Sequence, residues 1–323
     1  MNRPSRRPSI LILALVVVSI VAACSPSGSL GQVPSPAPTA APSVGQGEPD
    51  VTPAPTATPS SPAPGGSPSA GPSATPGETT IVRTYFYLDG EPGSAGLAAL
   101  LREVPQTHAV GAAAIDALLA GPDPNDSGER LLSTAIPDGS RLLGLTIDDG
   151  IATVDLSSEF ESGGGSLSMF TRLGQMVFTL TQFPTVESVL FEIEGQPVTV
   201  FSSEGIVLDG PVGRADYADL LPAIFVDRPA FGASIGNPAR ITGSANVFEA
   251  TFMVTLLDAE GATLAETHTM ATCGTGCRGT FELTLPYSVS EAGWGALLVW
   301  AASAKDGSPQ WVREYPVWLE PAG

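Results

Sequence analysis

Lysine is almost missing from this chain of 323 residues: Lys305 stands alone. Fourteen basic side chains face 33 acidic ones, for a formal net charge of -19. A chain this acidic is repelled by nucleic acid and by anionic lipid headgroups, so neither is an expected partner. Histidine is as scarce. His108 and His268 fall in different predicted domains, which argues against a histidine-based zinc site. Aromatic residues are absent from residues 25–79, and a stretch without them and dominated by Pro, Ser, Ala, Thr and Gly builds no core. The apolar run from Ile10 to Ile20, broken by Ser19, is too short and too sharply flanked to span a bilayer.

What is present begins with that run. Arg3, Arg6 and Arg7 precede it, and Val21-Ala22-Ala23-Cys24 follows. The charge order and length are those of an export signal over residues 1–23. With its small residues before a cysteine, the segment resembles a bacterial lipoprotein signal. That resemblance implies a diacylglyceryl group on Cys24, cleavage that leaves Cys24 as the mature N-terminus, and an extracytoplasmic protein held to the cell membrane by lipid. Residues 24–79 then read as a disordered tether. Its span is about 40 Å as a coil and about 170 Å as extended polyproline II.

From residue 80 the composition is globular, and its texture changes midway. Residues 80–207 mix two periods. Ile81 to Leu88 reads as a strand, while Leu97 to Val104 is open between helix and strand. Val110 to Leu119 has helical spacing and stops at Gly121-Pro122. Arg141 to Ile147 and Ile151 to Leu156 flank Asp148-Asp149-Gly150 as a hairpin. Leu167 to Leu180 reads as a second helix, and Val186 to Ile193 and Pro197 to Phe201 as strands. The sum is an α+β domain, a small sheet with two helices on one side. Residues 208–222 form a connector. Residues 223–323 show seven short strand patterns, at 223–228, 239–245, 248–257, 262–270, 279–286, 295–303 and 310–319, and imply an all-β sandwich.

Particular runs sharpen this. Leu118-Leu119-Ala120-Gly121-Pro122, Ile136-Pro137-Asp138-Gly139-Ser140, Gly150 to Ser157, Gln175 to Pro184 and Ile193-Glu194-Gly195 resemble the GerMN domain of sporulation and spore germination. Gly243 to Ala250, Gly276 to Phe281 and Ser303 to Ser308 resemble the immunoglobulin-like domain of bacterial spore germination. The resemblance implies a non-enzymatic envelope protein that works in protein assembly or signalling, with no catalytic residues to carry over. An envelope or membrane protein is the implied partner, and self-association is compatible with it.

The residues themselves offer little chemistry. Gly232-Ala233-Ser234-Ile235-Gly236 has the pattern of a hydrolase nucleophile elbow, but Asn237-Pro238 and a strand follow where a helix is required. The loop Asp123 to Gly128 has some look of a calcium loop, yet its twelfth position is Thr134 rather than Glu. Asp148-Asp149 occupies a turn for backbone reasons, Glu159-Phe160-Glu161 is a solvated acid pair, and Gly163-Gly164-Gly165 has no lysine partner for phosphate. No catalytic residue, cofactor or metal is therefore expected. Cys273 and Cys277, an even pair once Cys24 carries lipid, are expected to form a disulfide across Gly274-Thr275-Gly276. A second reading makes the sandwich a binding module for cell-wall glycan or peptide. All four tryptophans, Trp294, Trp300, Trp311 and Trp318, lie there, and their exposure separates core packing from a binding face.

Overall fold

The structure, a computed structural model, describes residues 77–123 and 131–322. The expected export signal, Cys24 and residues 24–76 of the expected tether lie outside the described residues, as does most of the Asp123–Gly128 loop.

Alternating aromatic and β-branched residues form strand β1 (Thr79–Leu88). It pairs antiparallel along its whole length with β2 (Gly96–Pro105), from Thr79 opposite Pro105 to Leu88 opposite Gly96. The ambiguous segment is thus a strand. Its residues Leu97, Ala98, Ala99 and Leu100 are buried consecutively, as in a strand covered on both faces and unlike a one-sided helix. Helix α1 (Val110–Leu119) buries Gly111, Ala114, Ile115 and Leu118 and is followed by Gly121 in a left-handed conformation. β3 (Leu132–Ser133) adds briefly to β1 at Tyr87 and Leu88. β4 (Leu142–Asp148) and β5 (Ile151–Leu156) make the expected hairpin, with Asp149 and Gly150 both at positive φ, as its two-residue turn requires. Helix α2 (Ser166–Leu180) leads to β6 (Ser188–Ile193), which runs parallel to β5, and β6 pairs with β7 (Gln196–Pro197). A short hairpin, β8 (Val200–Phe201) with β9 (Ile206–Val207), closes this part.

The first part is α+β, with its strands divided between a sheet β2-β1-β3 and a sheet β4-β5-β6-β7. Helix α2 accounts for the division. It is buried on nearly every side from Met169 to Leu180. The Gln175 amide donates to the Tyr85 carbonyl at 2.9 Å. Just beyond the helix, Gln182 accepts from the Arg83 amide at 2.7 Å and donates to the Arg83 carbonyl at 2.6 Å. Thr179 accepts from the Tyr85 amide at 3.3 Å. Side chains of the helix thus satisfy the edge of β1 where another strand would otherwise pair.

Residues 208–222 are packed rather than loose. A short 3-10 stretch, Arg214–Leu220, buries Tyr217 and Leu220, and the ring of Tyr217 lies 4.8 Å from that of Phe170 on α2.

The second part contains β10 (Ile224–Arg228), β11 (Ser234–Ile235), β12 (Ala239–Ala245), β13 (Thr251–Asp258), β14 (Thr263–Met270), β15 (Gly279–Leu285), β16 (Gly293–Ala302) and β17 (Pro309–Leu319). They form two sheets, β10-β12-β15 and β11-β17-β16-β13-β14, with Phe252 and Phe281 meeting edge to face between them. β13 starts at Thr251 rather than 248, because Phe248–Ala250 turns, with Glu249 and Ala250 at positive φ.

One hydrophobic core runs through both parts, including Tyr85, Leu97, Phe178, Phe225 and Tyr315. Phe178 of α2 and Phe225 of β10 lie 6.3 Å apart in edge-to-face contact across the boundary.

Candidate interaction surfaces

Three arginines seal the junction between the two parts. Arg313 points inward from β17 with Tyr315, Val317 and Leu319, and is 3 % exposed. Its guanidinium donates to the carbonyls of Ser94 at 2.6 Å, Gly96 at 3.3 Å and Leu97 at 2.9 Å, all in the first part. Arg214 donates to the Phe178 carbonyl at 3.1 Å, the Thr181 hydroxyl at 2.8 Å and the Tyr85 hydroxyl at 3.2 Å. It also lies over the rings of Tyr85 and Phe178. The Tyr85 hydroxyl donates to Asp227 of β10 at 2.7 Å, and Arg214 stands 4.0 Å from that carboxylate. Burial, and then the Asp227 charge, push the Tyr85 phenol up to about 12, against the opposing pull of Arg214. Arg278, beside the disulfide, donates to the Pro222 carbonyl at 2.9 Å. Backbone bonds complete the seam: the Phe231 amide donates to Ala99, and the Ala223 amide to Gly93, each at 2.7 Å.

Sequence reasoning passed over Arg313, Arg214, Tyr85 and Asp227. The period-two pattern Arg313, Tyr315, Val317, Leu319 placed a charge on an apolar face and was the available signal. A further arginine, Arg172, is 1 % exposed on α2 and donates to the carbonyls of Phe160, Ser162 and Gly163. The start of the glycine run after Glu161 is therefore held by an arginine through the Gly163 carbonyl.

The other singled-out residues are scattered. Ser234 donates to Glu320 at 2.9 Å in an exposed position. β11, which carries it, and β14, which carries His268, lie at opposite ends of a five-stranded sheet. Four strand spacings separate them, roughly 19 Å, which excludes a nucleophile–base pair. His108 precedes α1 in the other part of the fold. Among the described residues no group of three His, Cys, Asp or Glu side chains is arranged to hold a metal. No helix among them is long and apolar enough to cross a membrane. Cys273 and Cys277 are joined by a disulfide between β14 and β15, with Cα atoms 5.8 Å apart. The loop is docked on the turn before β13. The Thr275 amide donates to Val247, the Gly276 amide to Asn246, and the Thr275 hydroxyl accepts from Glu249. A Cβ on Gly274 would lie 2.5 Å from Ala250, so only glycine fits there.

None of the four tryptophans is fully buried. Trp311 packs on Gly93 at the junction. Trp294 and Trp318 face each other across β16 and β17, edge to face at 5.4 Å, and Trp294 is 55 % exposed.

Apolar exposure is concentrated in the first part, at Ile81, Leu131, Leu143, Ile147, Leu167, Val200 and Val207. Val200 and Val207 are cross-strand partners in the β8–β9 hairpin. Ser166, beside Leu167, donates to Glu204 of the same hairpin. The start of α2, which carries Leu167, is thus tied to the hairpin that carries Val200 and Val207.

The described residues form an α+β unit joined through one core to a two-sheet sandwich. Residues 83–199 match the family described as sporulation and spore germination. Residues 223–308 match the immunoglobulin-like domain of bacterial spore germination. Both domain models thus match this chain, in this order. Among solved structures it is similar to the first GerMN domain of the sporulation protein GerM from Bacillus subtilis, at 17 % identity over 42 % of this chain and 99 % of that one, TM-score 0.36. The tandem GerMN domains of the same protein align at 13 % identity over 66 % of this chain and 64 % of that one, TM-score 0.36. A candidate lipoprotein from Clostridium perfringens aligns at 22 % identity over 44 % of this chain and 92 % of that one, TM-score 0.31. Comparison with curated proteins gives no match.

Proposed function

We propose that this chain is a lipid-anchored envelope protein of the sporulation and germination type that acts by binding another envelope or membrane protein through its first part. The observation that carries this reading is the exposure of Leu167 at the start of α2 and of the cross-strand pair Val200 and Val207 on the hairpin to which Ser166 is bonded through Glu204. An apolar patch with an acidic rim suits a partner with an apolar centre and basic rim. The anchor at Cys24 and the tether of residues 24–79 would hold this surface at high effective concentration near membrane partners. Photocrosslinkers placed at Leu167 or Val207 in intact cells should capture an envelope or membrane protein, and Val207→Asp should abolish the product. Cys24→Ala should release the chain from membranes. Absence of a protein adduct at either crosslinker position, or a free thiol at Cys24 in the membrane fraction, would overturn the corresponding half of the reading.

A second reading has its own observation. Trp294, paired with Trp318 on the outer face of the sandwich, is available to stack on a sugar ring. Crosslinks confined to glycan, and made through residues 223–323, would replace the first reading with this one.

A further inference from the structure

Two hollows lie against the segment that leads out of β9. The first, of about 460 Å³, is lined by Phe170 and Tyr217, whose rings touch, and by Val207 and Val212. The second, of about 370 Å³, is lined by Leu190, Phe191 and Val198. Leu208, Asp209 and Gly210 belong to both linings and form their common wall. Neither lining contains a lysine or an arginine. Each contains carboxylates instead: Asp216 at the first hollow, Glu192 at the second, and Asp209 at both. Asp216 accepts from the Gly213 amide at 2.7 Å. The side chains of Glu192 and Asp209 have no hydrogen-bond or ion-pair partner among the described residues. The arginine nearest in sequence, Arg214, is engaged at the seam by Phe178, Thr181 and Tyr85.

We propose that these two hollows seat one segment of the partner protein, which places an apolar side chain in each hollow and a lysine or arginine at Asp209 between them. This inference rests on the reading that the first part binds an envelope or membrane protein, and it gives that contact its chemistry. Each hollow falls in the size range of ordinary binding pockets and offers aromatic and aliphatic surface to an apolar side chain. Val207, 61 % exposed at the first hollow, would be covered by the bound segment. Charge selects the occupant. Three carboxylates without a neighbouring cation call for a basic group from outside, and water exclusion by the flanking apolar contacts strengthens that attraction. Residues 25–79 of this chain contain no basic side chain, so the tether does not supply it. A second copy carries the same formal charge of -19 and is repelled. A neutral glycan brings no cation.

The test uses the full chain in intact cells. A photocrosslinker at Val207 samples the first hollow, and one at Thr199, exposed at the rim of the second, samples the other. Mass mapping of the adducts should place both on a single stretch of one partner, within about seven residues of each other, and that stretch should contain lysine or arginine. Asp209→Lys should reduce both adducts about tenfold, and Asp209→Asn should reduce them less. Asp209 is exposed, so both variants should keep the unfolding midpoint of the parent. Adducts on two separate stretches, a stretch without a basic residue, adducts to the tether or to a second copy, or adducts undiminished in Asp209→Lys would overturn the inference. As long as Val207 still captures an envelope or membrane protein, those outcomes leave the proposed function standing. No protein adduct at Leu167 or at Val207 would remove that reading itself, and this inference with it.

Discussion

The seam between the two parts and the far edge of the first part are finished in opposite ways. At the seam, backbone carbonyls that would face a void are taken up by Arg313, Arg214 and Arg278. At β4 the backbone of a seven-residue strand is left without a ladder beyond β5 among the described residues. Both places pose the same problem, polar backbone groups at the end of a sheet. Guanidinium groups solve it inside, where long side chains can bury their stems and deliver several donors to carbonyls. Outside, the open strand stays exposed to water or to another chain. The lesson is that the two parts share one core and a sealed seam, while the outer edge of the first part stays open among the described residues.

The strongest test of the sealed side is Arg313→Met. Three carbonyls lose their donor in a buried site, and the fold should lose about 3 kcal/mol in chemical denaturation. If the seam is what makes the two parts one unit, the unfolding curve should also split or its slope fall. A variant that unfolds in one transition at unchanged midpoint would break the contrast drawn between seam and edge.

Replacing Cys273 and Cys277 together by Ser should cost about 2 kcal/mol, since the ring they close is small and constrains the unfolded chain little. The loop is already docked by Thr275 and Gly276 on residues 246–249, so its fold should survive, while Arg278 loses some of its order. Mass mapping of the exported protein checks the pairing, and two freely reactive thiols would contradict it.

The smallest effect belongs to Tyr85→Phe, which removes the hydrogen bond to Asp227 and should cost about 1 kcal/mol. Its sharper signature is in pH. The Tyr85 phenol is raised from 10.0 to about 12 in the fold, so it favours the folded state fully below pH 10, and that contribution is lost as pH rises toward 12. Stability of the variant should therefore fall less between these pH values. Burial raises Tyr217 as well, so part of the alkaline loss should remain. Identical alkaline profiles for the two proteins would show that Tyr85 is not held at the seam as described.

Much of the fold could be read locally. The helical spacing of Val110 to Leu119 and of Leu167 to Leu180, and the Asp-Gly turn at 149–150, placed their elements within a residue or two, because each depends on contacts close in sequence. The short-strand texture after residue 223 indicated two packed sheets for the same reason. Leu97 to Val104 stayed ambiguous because a strand buried on both faces has no period to display. The division of the first part into two sheets was invisible, since it rests on Gln175, Thr179 and Gln182 reaching a strand 90 to 99 residues away.

The interaction surfaces divide along the same line. Sequence alone determined the acidity, the scarcity of histidine and lysine, the aromatic-free segment and the placement of every tryptophan after residue 223, all properties of composition that no folding can change. Only the tertiary structure decided that β4 lies at an edge, that Trp294 is exposed while Trp311 supports the seam, and that Arg313 is turned inward. Whether a polar or apolar group is sealed or open depends on which distant strand comes to lie beside it. Neighbours in the chain carry no record of that choice, which is made when one core closes over both parts.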